Sequence, residues 1–334
     1  MAIASKMLGF SSPDYPMPSA APLLLPLAAI AGVLLDRLLG EPRRWHPLVG
    51  FGRLGGWMEG VLRRGAPGHP LGNRLRGLVA WLLLVAPPVA LVWLACAALP
   101  WPAALALHIL LLWFALGAQS LADHARAIAA PLAAGDLVAA RRAVGCIVSR
   151  DTSSLSADDT AKAAVESVLE NGSDAVFGAL FWFALLGGPG ALAFRLANTL
   201  DAMWGYKDAR RIHFGWAAAR LDDLLGLAPA RLTALTYALL GSPRRALACW
   251  RAQAPAWGSP NAGPVMAAGA GSLGVCLGGA AIYHGQVEQR PDLGCGAAPA
   301  AADIGRAMAL VQRGVWLWLG LILAAGLVWG VVHA

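Results

Sequence analysis

Two polar stretches interrupt an otherwise apolar chain, and they carry most of the side chains able to do chemistry. The first runs Arg150-Asp151-Thr152-Ser153-Ser154 and continues as Ser156-Ala157-Asp158-Asp159. A serine followed three residues later by an acid is the signature of a capping box that opens a helix. On that helix Lys162, Glu166 and Glu170 recur every four residues and share one face, with Asn171 and Asp174 at its end. Taken alone, the face also fits a solvated surface carrying a Lys162–Glu166 ion pair worth about 0.2–0.5 kcal/mol.

The second stretch runs Asn198-Thr199-Leu200-Asp201, Gly205-Tyr206-Lys207, Phe214-Gly215-Trp216 and Arg220-Leu221-Asp222-Asp223. Adjacent carboxylates suit a hard cation such as Mg²⁺, which takes one or two protein carboxylates together with substrate phosphates. An acidic pair at a helix end is the plain alternative. Arginine and lysine beside these acids give the stretch both charge signs.

The elements that position these groups must sit in lipid. Of the 334 residues, 58% are hydrophobic and only 13% are charged, against about 25% charged in ordinary soluble domains. The formal charge of +7 comes without a Lys-rich run or an aromatic-interleaved basic strip, so it points to the positive-inside bias of membrane loops and away from nucleic acid. Five cysteines without a C-x-x-C, and histidines without ligand spacing, give neither a disulfide framework nor a zinc site. His108, inside an apolar run, is expected to be a hydrogen-bonded helix residue.

A membrane-crossing helix needs about 20 apolar residues. Segments 20–39, 78–99, 101–121 and 315–333 meet that length, and Pro87-Pro88 should kink the second. The arginine-rich loop 40–77 is expected on the cytoplasmic side. Three shorter apolar pieces, 176–197, 226–240 and 265–281, are expected to dip into the membrane and return; the first is split by Gly187-Gly188-Pro189-Gly190. Folding that piece back would bring the two polar stretches together. Arg195, near its end, is expected to snorkel to the interface. The run Gly269 to Gly274 matches G-x-G-x-x-G but follows no strand, and Gly274 with Gly278 is expected to serve helix packing. With no linker or repeat visible, the chain is expected to be one domain of an all-α integral membrane protein, with about four full spans plus re-entrant or interfacial helices.

The blocks Arg150-Asp-Thr-Ser, Glu166 with Glu170-Asn171, Asn198-Thr-Leu-Asp201, Gly205-Tyr-Lys207, Phe214-Gly-Trp-Ala, Ala219-Arg-Leu-Asp-Asp223 and Pro229-Ala-Arg-Leu-Thr233 resemble the adenosylcobinamide-phosphate synthases, the CbiB/CobD family. Asp36-Arg-Leu-Leu-Gly-Glu-Pro42 with His46-Pro47 resembles the family's opening motif. Ser259-Pro-Asn-Ala-Gly263, Leu277-Gly-Gly279 and Tyr283-His-Gly285 resemble its later ones. Two departures stand out. Glu170-Asn-Gly-Ser-Asp174-Ala replaces the family's Glu-Asn-Thr-x-Asp-Gly, and Glu41 stands where Asp is commoner.

The resemblance implies a bacterial inner-membrane ligase of cobalamin biosynthesis with its active site facing the cytoplasm. It would join a corrinoid carboxylate to an amino-alcohol phosphate with ATP and Mg²⁺, through an acyl phosphate. Under it, Glu170, Asp201, Asp222 and Asp223 are the expected metal ligands. Arg150, Lys207, Arg220 and Arg231 are expected on phosphate, and Glu166 or Asp174 as the proton acceptor. Asp151, Thr152, Ser153, Asn171, Asn198, Tyr206, Ser259 and Asn261 would bind substrate or nucleotide. Trp204, Tyr206, Phe214 and Trp216 would line a corrin cavity, or else anchor at the interface. A corrinoid transporter and a catalytically silent membrane sensor are the rival readings; a transporter would spread its charges along a path through the spans, whereas here they crowd on one expected side.

Overall fold

Backbone amides in an apolar setting have to be paired within their own segment, and this chain meets that demand mainly with helices. The computed structural model describes residues 21–42, 46–63, 69–206, 208, 211–283 and 285–333. In order, these form α1 (Ala21–Leu39), α2 (Pro47–Arg63), α3 (Pro70–Ala98), α4 (Trp101–Ala115), α5 (Ala118–Ala133), α6 (Leu137–Val144) and α7 (Ala157–Asn171). A π-helical turn (Gly172–Phe177) leads into α8 (Gly178–Trp204). Then come α9 (Trp216–Leu240), α10 (Pro243–Gln253), α11 (Ala262–Leu273), the strands β1 (Cys276–Tyr283) and β2 (Gln286–Gly294), and α12 (Ala301–Val332).

Five helical stretches are long and apolar enough to cross a membrane: Pro22–Leu39, Pro70–Ala98, Trp101–Ala133, Ala157–Trp204 and Ala301–Val332. Four of them overlap nearly all of the four spans expected from hydropathy. The third is interrupted after Ala115, where Leu116 takes an extended backbone (φ −78°, ψ 149°). α3 continues through Pro87-Pro88 as one element.

The chain divides into two compact units. One comprises the described residues of Met1–Gly117, Gly178–Leu225 and Leu319–Ala334, the other Ala118–Phe177 and Gly226–Trp318. Two boundaries fall inside α9 and α12, which is why no linker is legible in the sequence.

In the first unit, Leu84 and Val85 of α3 pack with Leu192, Leu196, Leu200 and Trp204 of α8 and with Phe214. α2 adds Leu48, Phe51, Met58 and Leu62 to this core. The decisive local feature is Gly187, whose φ of 64° and ψ of −153° lie in a region essentially closed to residues with a Cβ. The chain reverses there. Phe194 packs so closely on Gly178 that a Cβ at 178 would collide with its ring, although sixteen positions of straight helix would separate the two by about 24 Å. The Gly188 N–H, left without a helical acceptor by the break, donates to His108 Nδ1 at 2.8 Å. His108 is therefore a hydrogen-bonded helix residue, and segment 176–197 folds back as expected.

The other two expected dips are corrected. Segment 226–240 is the second half of α9, one helix of 25 residues running from Trp216. Segment 265–281 is not a single apolar run: α11 ends at Gly274, and a strand begins two residues later. All twelve residues of α11 are buried by protein in the second unit. Gly269 packs on Leu169 and Gly271 on Arg245 and Ala246, while Gly274 ends the helix and Gly278 sits in β1. The Gly274–Gly278 pair thus shares no helix face.

β1 and β2 form an antiparallel hairpin whose register shifts between Leu277 and Gly279, adding a small sheet to an otherwise helical fold. The shift marks a bulge at Gly278, whose φ of 80° favours glycine and where a Cβ would strike the Pro291 carbonyl.

Candidate functional site

The second unit holds a polar cleft built on α7 and closed by the β-hairpin. Ser156 opens α7 as the capping box predicts: its Oγ accepts from the Asp159 N–H at 3.0 Å and donates to the Asp159 carboxylate at 2.6 Å. Lys162 pairs with Asp159 at 3.5 Å, so the Lys162–Glu166 pair is not formed. Glu166 turns inward and is 5% exposed.

Four N–H groups converge on the Glu166 carboxylate. Arg150 Nη2 donates at 2.5 Å, Arg290 Nη1 and Nη2 at 3.2 and 3.1 Å, and the Gly278 amide at 2.8 Å. Arg290 also donates to the carbonyls of Gly278 and Gly279 and lies over the Trp257 ring. A buried carboxylate held by two guanidiniums and an amide is fully occupied. This corrects the expectation that Glu166 accepts a proton: its lone pairs are spent on structural donors.

Beside this knot lies a cavity of about 140 Å³, lined by Ser149, Arg150, Glu170, Asn171, Tyr283 and Arg290 among others. Asn171 Nδ2 donates to the Ser167 carbonyl and hydroxyl at 2.9 and 3.1 Å. Asp151 and Ser153 form an exposed turn in which the Asp151 carboxylate accepts from the Ser153 amide and hydroxyl, and those bonds hold its carboxyl below the usual range. The Asp151 N–H donates to the Ile282 carbonyl at 2.9 Å, tying the turn to β1, and Thr152 is half-buried next to it. Asp174 lies on the π-helical turn within electrostatic range of Tyr237 and is not among the described residues that line the cavity.

Arg231, Ser259 and Asn261 form a separate knot in the same unit. Arg231 Nη1 donates to Asn261 Oδ1 at 2.8 Å, while Ser259 Oγ accepts from the amides of Asn261 and Ala262 at the start of α11.

The first unit carries the second polar stretch. Asn198 Nδ2 donates to Asp222 Oδ1 at 3.4 Å, and the charges of Asp201 and Asp223 are felt at Asp222. Burial first, then the Asp201 charge, push the Asp222 carboxyl up to about 7; the Asn198 bond opposes this, and Asp223 adds to it. Arg220 is exposed and reaches Asp223 at 3.7 Å. Among the described residues, no three His, Cys, Asp or Glu side chains gather closely enough to hold a metal ion. Glu170, in the other unit, shares its cleft with Arg150, Arg290 and Glu166, apart from the carboxylates of the first unit.

Tyr206 is half-exposed, whereas Trp204 and Phe214 are buried against each other with ring centroids 5.1 Å apart. These two are core, which corrects their assignment to a corrin cavity. Trp216 is partly exposed beneath the Arg74 guanidinium, 5.2 Å from its ring centroid. Lys207 lies outside the described residues. Arg195 does not snorkel: its side chain is 16% exposed and pairs with Glu41 at 3.3 Å, with Asp36 in electrostatic range.

A family model described as CobD/Cbib protein matches residues 29–311. The chain belongs to the CobD/CbiB family. It is 60% identical over 314 residues to the cobalamin biosynthesis protein CobD of Chromobacterium violaceum, covering 93% of this chain and 99% of that one. It is 59% identical to the CobD of Stutzerimonas stutzeri (90% and 97%) and 41% identical to that of Mycobacterium tuberculosis (86% and 92%). No solved structure matches.

Within this CobD/CbiB chain, two site features escaped the reading of the sequence. Arg290 stands alone in a polar strand, and only the hairpin register brings it to Glu166. The Arg195–Glu41 pair links the opening motif to α8 across 154 positions. A signal for the hairpin did exist: Gly278-Gly279 inside a run assumed helical is poor helix sequence and good bulge sequence.

Proposed function

We propose that this protein catalyses ATP-dependent amide formation between a corrinoid carboxylate and an amino-alcohol phosphate in cobalamin biosynthesis. The observation that carries the reading is the group Asp201, Asp222 and Asp223: half-buried carboxylates of one unit, with the Asp201 and Asp223 charges felt at Asp222 and Arg220 paired to Asp223. Family membership supports the pathway, through relatives named as cobalamin biosynthesis proteins.

In this reading the carboxylate attacks the γ-phosphorus of ATP and ADP leaves. The amine nitrogen then attacks the acyl carbon, inorganic phosphate leaves, and the amine's proton passes to a carboxylate. Asp222, with Asp201 and Asp223, would hold Mg²⁺, which lowers the charge on the phosphates. Arg220 and Lys207 would stabilise charge on the transferred group. Glu166 keeps Arg150 and Arg290 in place.

The test is purified protein with adenosylcobyric acid, ATP, Mg²⁺ and aminopropanol phosphate, scored for amide and ADP in equal amounts. Absence of both products from well-folded protein would reject the reading. The reversal at Gly187 and the buried Arg195 are the features a corrinoid transporter would share; ATP-independent corrinoid uptake by vesicles, without amide, would favour that alternative.

A further inference from the structure

We propose that the cleft between α7 and the β-hairpin is the pocket for the small amine substrate, with its anionic end on Arg150 and its ammonium on Glu170. This rests on the ligase reading for the identity of the molecule, and on the geometry of the second unit for its place.

Size comes first. A cavity of about 140 Å³ is well below the roughly 300–1,000 Å³ of pockets that enclose drug-sized ligands. Its size matches a molecule of a few heavy atoms better than a whole corrin or nucleotide.

Charge comes second. The lining carries two guanidiniums, Arg150 and Arg290, and two carboxylates, Glu166 and Glu170. Glu166 is spent on both arginines, and Arg290 has Nε, Nη1 and Nη2 engaged with Glu166 and the Gly278 and Gly279 carbonyls. Arg150 uses only Nη2 on Glu166; its other nitrogens have no acceptor among the described residues. The Glu170 carboxylate accepts no hydrogen bond among the described residues either, though it feels both arginines and Glu166. One guanidinium with unspent donors and one carboxyl group with unspent acceptors thus face the same small space, which suits a molecule bearing both an anionic group and an amine.

Glu166 and Glu170 stand one helical turn apart on α7, so the anchor and the ligand-binding carboxylate share a face. Asn171 is fixed through its amide nitrogen by Ser167, leaving its oxygen as an acceptor. An ammonium bound by Glu170 can transfer one proton to that carboxylate, leaving the neutral amine whose lone pair attacks. Arg290 is a positioning residue that sets Arg150 through their shared partner.

The experiment is calorimetric binding to the full-length protein in detergent. The probes are aminopropanol phosphate, propanol phosphate lacking the amine, and aminopropanol lacking the phosphate. Wild type should bind the complete molecule at least about tenfold more tightly than either truncated one, as expected for charge-assisted contacts. Glu170→Gln, which breaks no ion pair among the described residues, should bind aminopropanol phosphate and propanol phosphate equally. Arg150→Gln should erase the preference for phosphate, and Arg290→Lys should weaken that preference only in part.

A Glu170→Gln protein that keeps its full preference for the amine would overturn the assignment, whatever Arg150→Gln does to folding. Amide production is scored in parallel. Product without this binding pattern rejects the pocket and leaves the ligase reading; the binding pattern without product rejects the ligase reading and leaves the pocket.

Discussion

The Gly278 amide donates to the Glu166 carboxylate at 2.8 Å across 112 positions of sequence. The bond exists because a bulge turns one amide of β1 out of the hairpin ladder and toward α7. The same carboxylate receives both arginines, so helix, loop and hairpin are held at one point.

Removing that point leaves two buried guanidiniums uncompensated. Glu166→Gln should destabilise the fold by about 3–5 kcal/mol, seen as a lowered thermal midpoint in detergent. Gly278→Ala should act in the same direction, because a Cβ there meets the Pro291 carbonyl at a left-handed φ. Unchanged melting in both variants would show that the knot holds nothing together.

Asp222 should reveal itself through pH. Its folded carboxyl titrates near 7 while the unfolded one titrates near its ordinary 3.8. Between those values the native state binds more protons, so stability falls as pH rises through the window. Asp222→Asn removes the cost of burying charge; at pH 8 it should melt higher than wild type, by at most about 4 kcal/mol. That advantage should shrink toward pH 4, and amide formation should be abolished at every pH. A variant less stable than wild type at pH 8 would contradict this.

Gly187 should tolerate no side chain. Gly187→Ala forces a Cβ into a backbone region costing about 1–3 kcal/mol or more, so the yield of monodisperse protein should fall. His108→Ala should be milder, leaving the Gly188 N–H without its acceptor at a cost of about 1–3 kcal/mol. Equal yields for wild type and Gly187→Ala would mean the reversal is not required.

The Arg195–Glu41 pair makes a charge-swap experiment possible. Arg195→Glu and Glu41→Arg should each lower stability, and combining them should restore part of it. The coupling expected for residues in one ion pair is about 0.5–3 kcal/mol. Strict additivity in the double variant would show that the contact is incidental.

Much of this protein was determined by composition and local pattern. A chain that is 13% charged can form only lipid-compatible secondary structure, so the long helices, the capping box at Ser156 and the reversal at Gly187 followed from residue types over short distances. What the local pattern could not decide was which polar side chains face each other. Glu166 and Lys162 sit one turn apart and invite an ion pair, yet Glu166 is claimed by Arg150 and Arg290, from 16 and 124 positions away. Trp204 and Phe214 look like lining and are core, because packing rather than residue type settles which face of an aromatic side chain is covered. The hairpin was hidden for a related reason: an apolar run ending in paired glycines reads as helix until the pairing of one strand with another, a contact between distant segments, gives its amides their partners.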